Sequence, residues 1–244
     1  MRQIIGILFI IVMLSCQEHK PRISSIETED LTSKQIDSIV AKYKFQYESP
    51  IVLDSTNQVL IPISTELPER RKRSSKIGYY SDDYPRYWNI LFYNRQTGET
   101  RLLTEDKIRI SQIYASKSGH NGGAHILYEK VLYEIADIDF NKDNRLNAID
   151  PEYLFASESN GTNFKRVSPK NEDLLFFQVI PNSEEILIQT RRDSNSDSIF
   201  NRDDESIWYK AEFKENDWKI EEIIDSTKRK RIKNLYYDQW LKNK

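Results

Sequence analysis

From Ser49 to Asp225 the apolar residues come in short runs, rich in β-branched and aromatic side chains and divided by Asn, Asp, Gly, Pro and Ser. Such runs signal strands, because branched and aromatic side chains pack well on a pleated surface while the dividing residues favour turns. The pattern predicts strands over Ile51–Leu53, Val59–Ile63, Trp88–Asn94, Thr100–Thr104, Ile110–Ala115 and Leu127–Ile138. It predicts six more over Tyr153–Ser157, Phe164–Ser168, Leu174–Ile180, Ile186–Thr190, Ile207–Phe213 and Trp218–Ile224. Outside this region the period changes. Thr32 precedes Ser33, Lys34 and Gln35 in the arrangement of a capping box, and Ile36, Ile39, Val40 and Tyr43 follow at helical spacing, which predicts one helix over residues 31–48. Ile232, Leu235, Tyr236 and Trp240 recur among basic residues and predict a second helix over 226–244.

The chain opens Met1-Arg2-Gln3, runs apolar from Ile4 to Leu14 and reaches Ser15-Cys16. A spanning helix needs about 20 apolar residues and a signal-peptide core about 7 to 15, so this run predicts export and cleavage. Met13, Leu14 and Ser15 before Cys16 resemble the lipobox of bacterial lipoproteins, with Met13 in place of the usual Leu, Val or Ile. That resemblance implies a signal peptide over 1–15, acylation of Cys16, and anchoring by more than one acyl chain, since a single chain holds a bilayer only marginally. Without the resemblance the segment reads as a plain secretory signal. Residues 16–30 are polar and read as a flexible tether. Gln17, Glu18, His19 and Lys20 lack the Asp that marks inner-membrane retention in that family, which implies the outer membrane, facing the periplasm. Because the single cysteine is taken by lipid, no disulfide is available, and stability must come from the core or from bound metal.

The β region, residues 49–225, repeats itself. Ile90–Asn94, a turn at Thr97-Gly98-Glu99 and Arg101–Thr104 make one hairpin; Tyr153–Ser157, Asn160-Gly161-Thr162 and Phe164–Ser168 make another. Ile207–Tyr209, a turn at Asn216-Asp217 and Trp218–Glu221 make a third, preceded by a strand, the turn Pro181-Asn182-Ser183 and a further strand. These pieces resemble blades of TolB-type β-propellers. The resemblance implies propeller-like repeats of short antiparallel sheets, about three blades, whereas closed propellers have about 4 to 8. A propeller fragment, an open stack of small sheets and a sandwich of the same hairpins all remain compatible with it.

Two twelve-residue loops share one pattern. Residues 139–150 and 193–204 both place Asp, Asn, Asp, Asn and Asp at positions one, three, five, nine and twelve, just before corresponding hairpins. Calcium takes about 6 to 8 oxygen ligands, and alternating oxygen-bearing side chains in a tight loop can wrap it. The pattern resembles the loops of EF-hand and dockerin modules. By that match the side-chain ligands are Asp139, Asn141, Asp143 and Asp150, and Asp193, Asn195, Asp197 and Asp204. Asn147 and Asn201 act directly or through water, and Arg145 and Ile199 offer backbone carbonyls. Up to two structural calcium ions are thus expected. The usual Gly at position six is Asn144 in one loop and Ser198 in the other, and Asn tolerates a left-handed backbone better than Ser. The bland alternative is a pair of solvated turns.

Composition narrows the function little. A net charge of −2 excludes a global pull toward nucleic acid, and 14 Tyr, 10 Phe and 4 Trp exclude disorder by composition. His120 and His125 sit in a glycine-rich segment that reads as a turn, lacking a third ligand nearby. Arg70–Arg73 with Lys76, and Lys228–Arg231 with Lys233, read as solvated basic runs or as faces for phosphate or an acidic partner. Tyr79, Tyr80, Tyr84, Tyr87 and Trp88, in the segment replacing the metal loop in the first repeat, are candidate partner contacts if exposed and core if buried. Nucleophile elbow, zinc-protease, phosphate-loop and dinucleotide motifs are absent from the sequence. The reading is a calcium-stabilised, membrane-anchored binding or scaffold protein of the cell envelope with a protein partner. A polysaccharide hydrolase or lyase and an inhibitor or immunity-type lipoprotein are the alternatives.

Overall fold

The computed structural model describes residues 32–41, 44–53, 56–66, 86–115 and 129–242. The chain is mainly β: three antiparallel sheets and a C-terminal helix, with no closed propeller among the described residues. The first sheet runs β1 (Lys44–Tyr47), β3 (Gln58–Glu66), β4 (Asn89–Asn94), β5 (Thr100–Leu102), with β2 (Ile51–Val52) also paired to β3. The second is the meander β6 (Arg109–Tyr114), β7 (Lys130–Ala136), β8 (Tyr153–Glu158), β9 (Lys165–Arg166). The third is the meander β10 (Glu172–Val179), β11 (Glu185–Arg192), β12 (Glu205–Lys214), β13 (Asp217–Glu222).

Each expected strand overlaps an observed one. The N-terminal helix is shorter than its spacing implies: α1 covers Ser33–Val40, and Lys44–Tyr47, placed in that helix by sequence, is strand β1. Phe45 and Tyr47 alternate with Lys44 and Gln46, and the segment pairs with β3 in the register Phe45↔Thr65 and Tyr47↔Ile63. Sheet pairing and the packing of Phe45 on Trp88, ring centroids 5.5 Å apart, override local helical preference. Half of the capping box forms, with the Gln35 side-chain oxygen accepting the Thr32 backbone N–H at 2.9 Å. At the other end α2 (Ser226–Tyr236) continues into a π-helical turn, Tyr237–Leu241.

The second sheet is buried on both faces. Val131, Tyr133, Ile135, Tyr153 and Phe155 face Leu60, Ile90 and Phe92 of the first sheet. The alternate residues Leu132, Leu154 and Ala156 pack with Ile186, Ile188, Ile207 and Tyr209 of the third. That double burial is why β7 and β8 read as continuous apolar runs without alternation. The buried Tyr133 hydroxyl keeps a partner, Ser157 Oγ, at 2.7 Å.

Successive sheets are joined at equivalent places. Tyr87, just before β4, exchanges backbone hydrogen bonds with Ile110 of β6 at 3.1 and 2.9 Å. Just before β8, the carbonyl of Glu152 accepts Leu174 N–H of β10 at 2.8 Å. In both cases the ladder of the joining strand shifts register at the next residue, between Ile110 and Gln112 and between Leu174 and Phe176. A bulge of this kind turns a strand out of its own sheet and frees backbone groups for another.

Gly161, in the β8–β9 turn, has φ +79°, and a Cβ there would lie 2.6 Å from the Phe92 ring of the first sheet. Gly98, in the β4–β5 turn, has φ +76° with open space around it. Gly98→Ala therefore carries only left-handed strain, about 1 kcal/mol. Gly161→Ala adds an overpacking cost of about 1–3 kcal/mol. Urea unfolding of the two variants should show the larger loss at Gly161, and equal losses would contradict the stacking of these sheets.

Candidate metal loops

The two acidic loops join the same pair of strands in successive sheets: residues 139–150 connect β7 to β8, and residues 193–204 connect β11 to β12. The bonds from their backbone N–H groups to loop side chains correspond one by one. The first Asp of each loop accepts the N–H of positions five and six: Asp139 from Asp143 and Asn144, at 3.1 and 2.7 Å, and Asp193 from Asp197 and Ser198, at 3.2 and 3.0 Å. Asn141 and Asn195 accept the same position-five N–H groups at 3.0 Å. Asp143 and Asp197 accept the N–H of Arg145 and Ile199 at 2.8 Å.

The last Asp closes each loop. Asp150 accepts Phe140 N–H and Asn147 N–H, both at 2.9 Å, and Asp204 accepts Ser194 N–H and Asn201 N–H at 3.0 and 2.9 Å. Asn147 and Asn201 fold back onto the N–H of Ile149 and Asp203 at 2.8 Å. Both loops are left-handed at positions four and six: Lys142 and Asn144 have φ +60° and +64°, Ser196 and Ser198 +61° and +63°. Ser198 thus adopts the conformation that sequence reasoning favours at Asn144. Each such residue costs about 1–2 kcal/mol relative to right-handed backbone, and the side-chain-to-backbone bonds, about 1 kcal/mol each, offset it.

The loops also touch. Phe140, position two of the first, packs on Phe200, position eight of the second, with ring centroids 4.9 Å apart. Each base is pinned by an ion pair. Arg166 holds Asp137 at 2.5 Å beside the first loop, and Arg192 holds Glu172 at 2.6 Å beside the second. The N–H groups of Asn201 and Ser194 draw the Asp204 carboxyl below the ordinary carboxylate range.

As a donor set the loops suit a hard cation: carboxylate and amide oxygens with backbone carbonyls at Arg145 and Ile199, and neither sulfur nor imidazole. Among the described residues no three His, Cys, Asp or Glu side chains converge as a metal cage. The carboxylates are turned onto their own backbone. Binding would require side-chain rotation on a backbone already shaped.

Of the other sequence candidates, Cys16, Tyr79, Tyr80, Tyr84, His120, His125 and the Arg70–Arg73 run lie outside the described residues. Tyr87 packs against the core between the first two sheets, with Arg86 over its ring at 5.4 Å. Trp88 is half-buried against Phe45.

A group missed by sequence reasoning lies where the second and third sheets meet. Tyr114 donates to Glu134 at 2.7 Å, Arg109 pairs with Glu152 at 2.7 Å, and Glu152 N–H donates to Asp173 at 3.0 Å. Burial raises the Glu134 carboxyl above its usual range, with the Glu152 charge adding to it. Burial likewise pushes Asp173 up to about 6. The one available signal was Glu134 itself, a carboxylate inside the apolar run Leu127–Ile138. Asp173, pushed up to about 6, can hold and release a proton near neutral pH.

The chain matches no known family model and no curated protein.

Two measurements test this geometry. Phe140→Ala, Phe200→Ala and the double variant should give a coupling of about 0.5–1.5 kcal/mol in a thermodynamic cycle; additive losses would mean that the loops do not touch in solution. Asp173 binds its proton more tightly folded than unfolded, so its contribution to stability is full below about pH 4 and is lost as pH rises through about 6. Asp173→Asn should therefore stabilise the protein by about 2 kcal/mol near pH 7.5 and change it little near pH 4. Urea midpoints over that range decide it. The depressed Asp204 works in the opposite sense, its contribution being present above the ordinary carboxylate range and lost as pH falls below it.

Proposed function

We propose that the chain is an exported lipoprotein, acylated at Cys16 and held at the outer membrane facing the periplasm. Its propeller-like repeats would be stiffened by a calcium ion in each acidic loop, and it would act as a binding or scaffold protein toward a protein partner of the envelope. The observation that carries the metal part is the shared set of backbone N–H bonds in two loops that occupy equivalent places in stacked sheets and touch through Phe140 and Phe200. Solvated turns have no need to share left-handed residues at the same two positions and closing carboxylates with the same two amide partners. Asp139, Asn141, Asp143 and Asp150 would hold one ion; Asp193, Asn195, Asp197 and Asp204 would hold the other.

A bound ion would draw these carboxylates together, neutralise their charge and fix the loops without altering their backbone. Calorimetric titration of the full chain with calcium should report two sites, one lost in Asp143→Ala and the other in Asp197→Ala. Calcium at one hundred times the dissociation constant should add about 2.7 kcal/mol per site to thermal stability, removed by chelator. No heat and no shift in melting would sink the metal reading.

One observation favours the second reading, a polysaccharide hydrolase or lyase: the coupled carboxylates Glu134, Glu152 and Asp173 beside Tyr114. Release of new sugar ends by the chain, abolished in Glu134→Gln, would support it.

A further inference from the structure

We infer that the C-terminal helix is a membrane-surface element that binds anionic phospholipid, independently of any acylation at Cys16. Its first turn is fixed to the third sheet: the Asp225 side chain accepts Lys228 N–H at 2.9 Å, and Arg229 pairs with Glu222 and, at 3.0 Å, with Glu205. Arg229 also donates to the Ile224 carbonyl at 2.7 Å. From Lys230 to Lys242 every residue is exposed. Ile232, Leu235 and Tyr236 follow at helical spacing with more than two fifths of their surface in water, and Trp240 is 65% exposed.

The π-helical turn bears on this stripe. Lys242 N–H donates to the Tyr237 carbonyl at 2.9 Å, five residues back, so the last turn is wider than an α turn. In a wider turn Trp240 falls close to the line of Ile232 and Tyr236, one turn beyond Tyr236. Lys230, Arg231 and Lys233 flank the stripe and make no ion pair among the described residues, while Asp238 is the single acid of α2 and the π turn.

An acidic protein would be met by the basic residues alone. The combination present here, aliphatic and aromatic side chains on one side and unpaired Lys and Arg on the others, fits the boundary between acyl chains and anionic headgroups, where Trp and Tyr concentrate. Each basic residue near such a surface strengthens binding about fivefold. Fixing the first turn to the sheet leaves the remaining turns free to lie on the bilayer without disturbing the core.

The test uses the full chain incorporated in vesicles of phosphatidylglycerol or of phosphatidylcholine, with brominated acyl chains as a short-range quencher. The component of tryptophan emission lost in Trp240→Phe should be blue-shifted and quenched in phosphatidylglycerol and neither in phosphatidylcholine. The triple variant Lys230→Glu/Arg231→Glu/Lys233→Glu should weaken that partition on the order of a hundredfold while leaving the thermal melt unchanged. Ile232→Asn/Leu235→Asn should reduce quenching without removing the preference for anionic lipid. Because quenching is read at Trp240, insertion elsewhere in the chain cannot imitate it. Equal quenching in both lipids, or none, would overturn the inference. So would a lipid-free chain whose mass falls on charge reversal, which would assign the helix to a second copy.

Discussion

The apolar contact on both faces of β6–β9 is the constraint from which the other features follow. A strand with one buried face tolerates a polar residue at every second position; β7 and β8 allow almost none, because alternate residues serve different cores. Fully burying each Val, Leu, Ile or Phe there contributes about 1.5–3 kcal/mol, and a slip of one residue would exchange the two cores. Register in the middle sheet is therefore fixed from both sides, and the connections leaving it are held in place with it. The loop between β7 and β8 inherits its position from that registration, and the loop between β11 and β12 inherits its own from the neighbouring sheet. Phe140 and Phe200 meet because the sheets are stacked.

Within the loops a different balance operates. Four non-glycine residues stand in left-handed backbone, and no core lies beneath most of them. What holds them is the Asp and Asn side chains, which bond the backbone amides of their own loop from both ends. The same oxygens that would serve a cation are thus already shaping the peptide. Asp150 and Asp204, the most covered of the set, close both loops and rest on the sheets. The exposed members, Asn141, Asp143, Asn195 and Asp197, are those with most freedom to turn toward an ion.

The strands and the repeat were legible in the sequence because period-two and continuous apolar runs are local signals, and the turn residues between them are chemically distinctive. The equivalence of the two loops was legible for the same reason, since identical spacing of Asp and Asn produced the same set of bonds from backbone N–H groups. The strand β1 was not, because Ile36, Ile39, Val40 and Tyr43 carry a helical period up to its edge, and only pairing with β3 reveals the change. The group of Glu134, Glu152, Asp173 and Tyr114 was not legible either. Its members come from four separate segments, and the bulge before Gln112 and the joint at Glu152 bring them together. Left-handed Ser198 contradicts a preference argued from residue type alone: its own N–H bond to Asp193 and the Ile199 N–H bond to Asp197 outweigh it.

The joints between sheets have a counterpart on the third sheet. The start of the third strand is where each of the first two sheets grips its successor, Tyr87 on Ile110 and Glu152 on Leu174. At the corresponding place in the third sheet, the start of β12, Glu205 is engaged by Arg229 of α2, which also takes Glu222 of β13. A charged side chain from a helix thus occupies the place at which another sheet would join. The outer face behind it carries Lys210 among Glu185 and Glu212, beside the ring pair of Phe176 and Trp208. Arg229 thus spans β12 and β13 at the place equivalent to the two joints, and it ties the helix rather than a further strand to that edge of the third sheet.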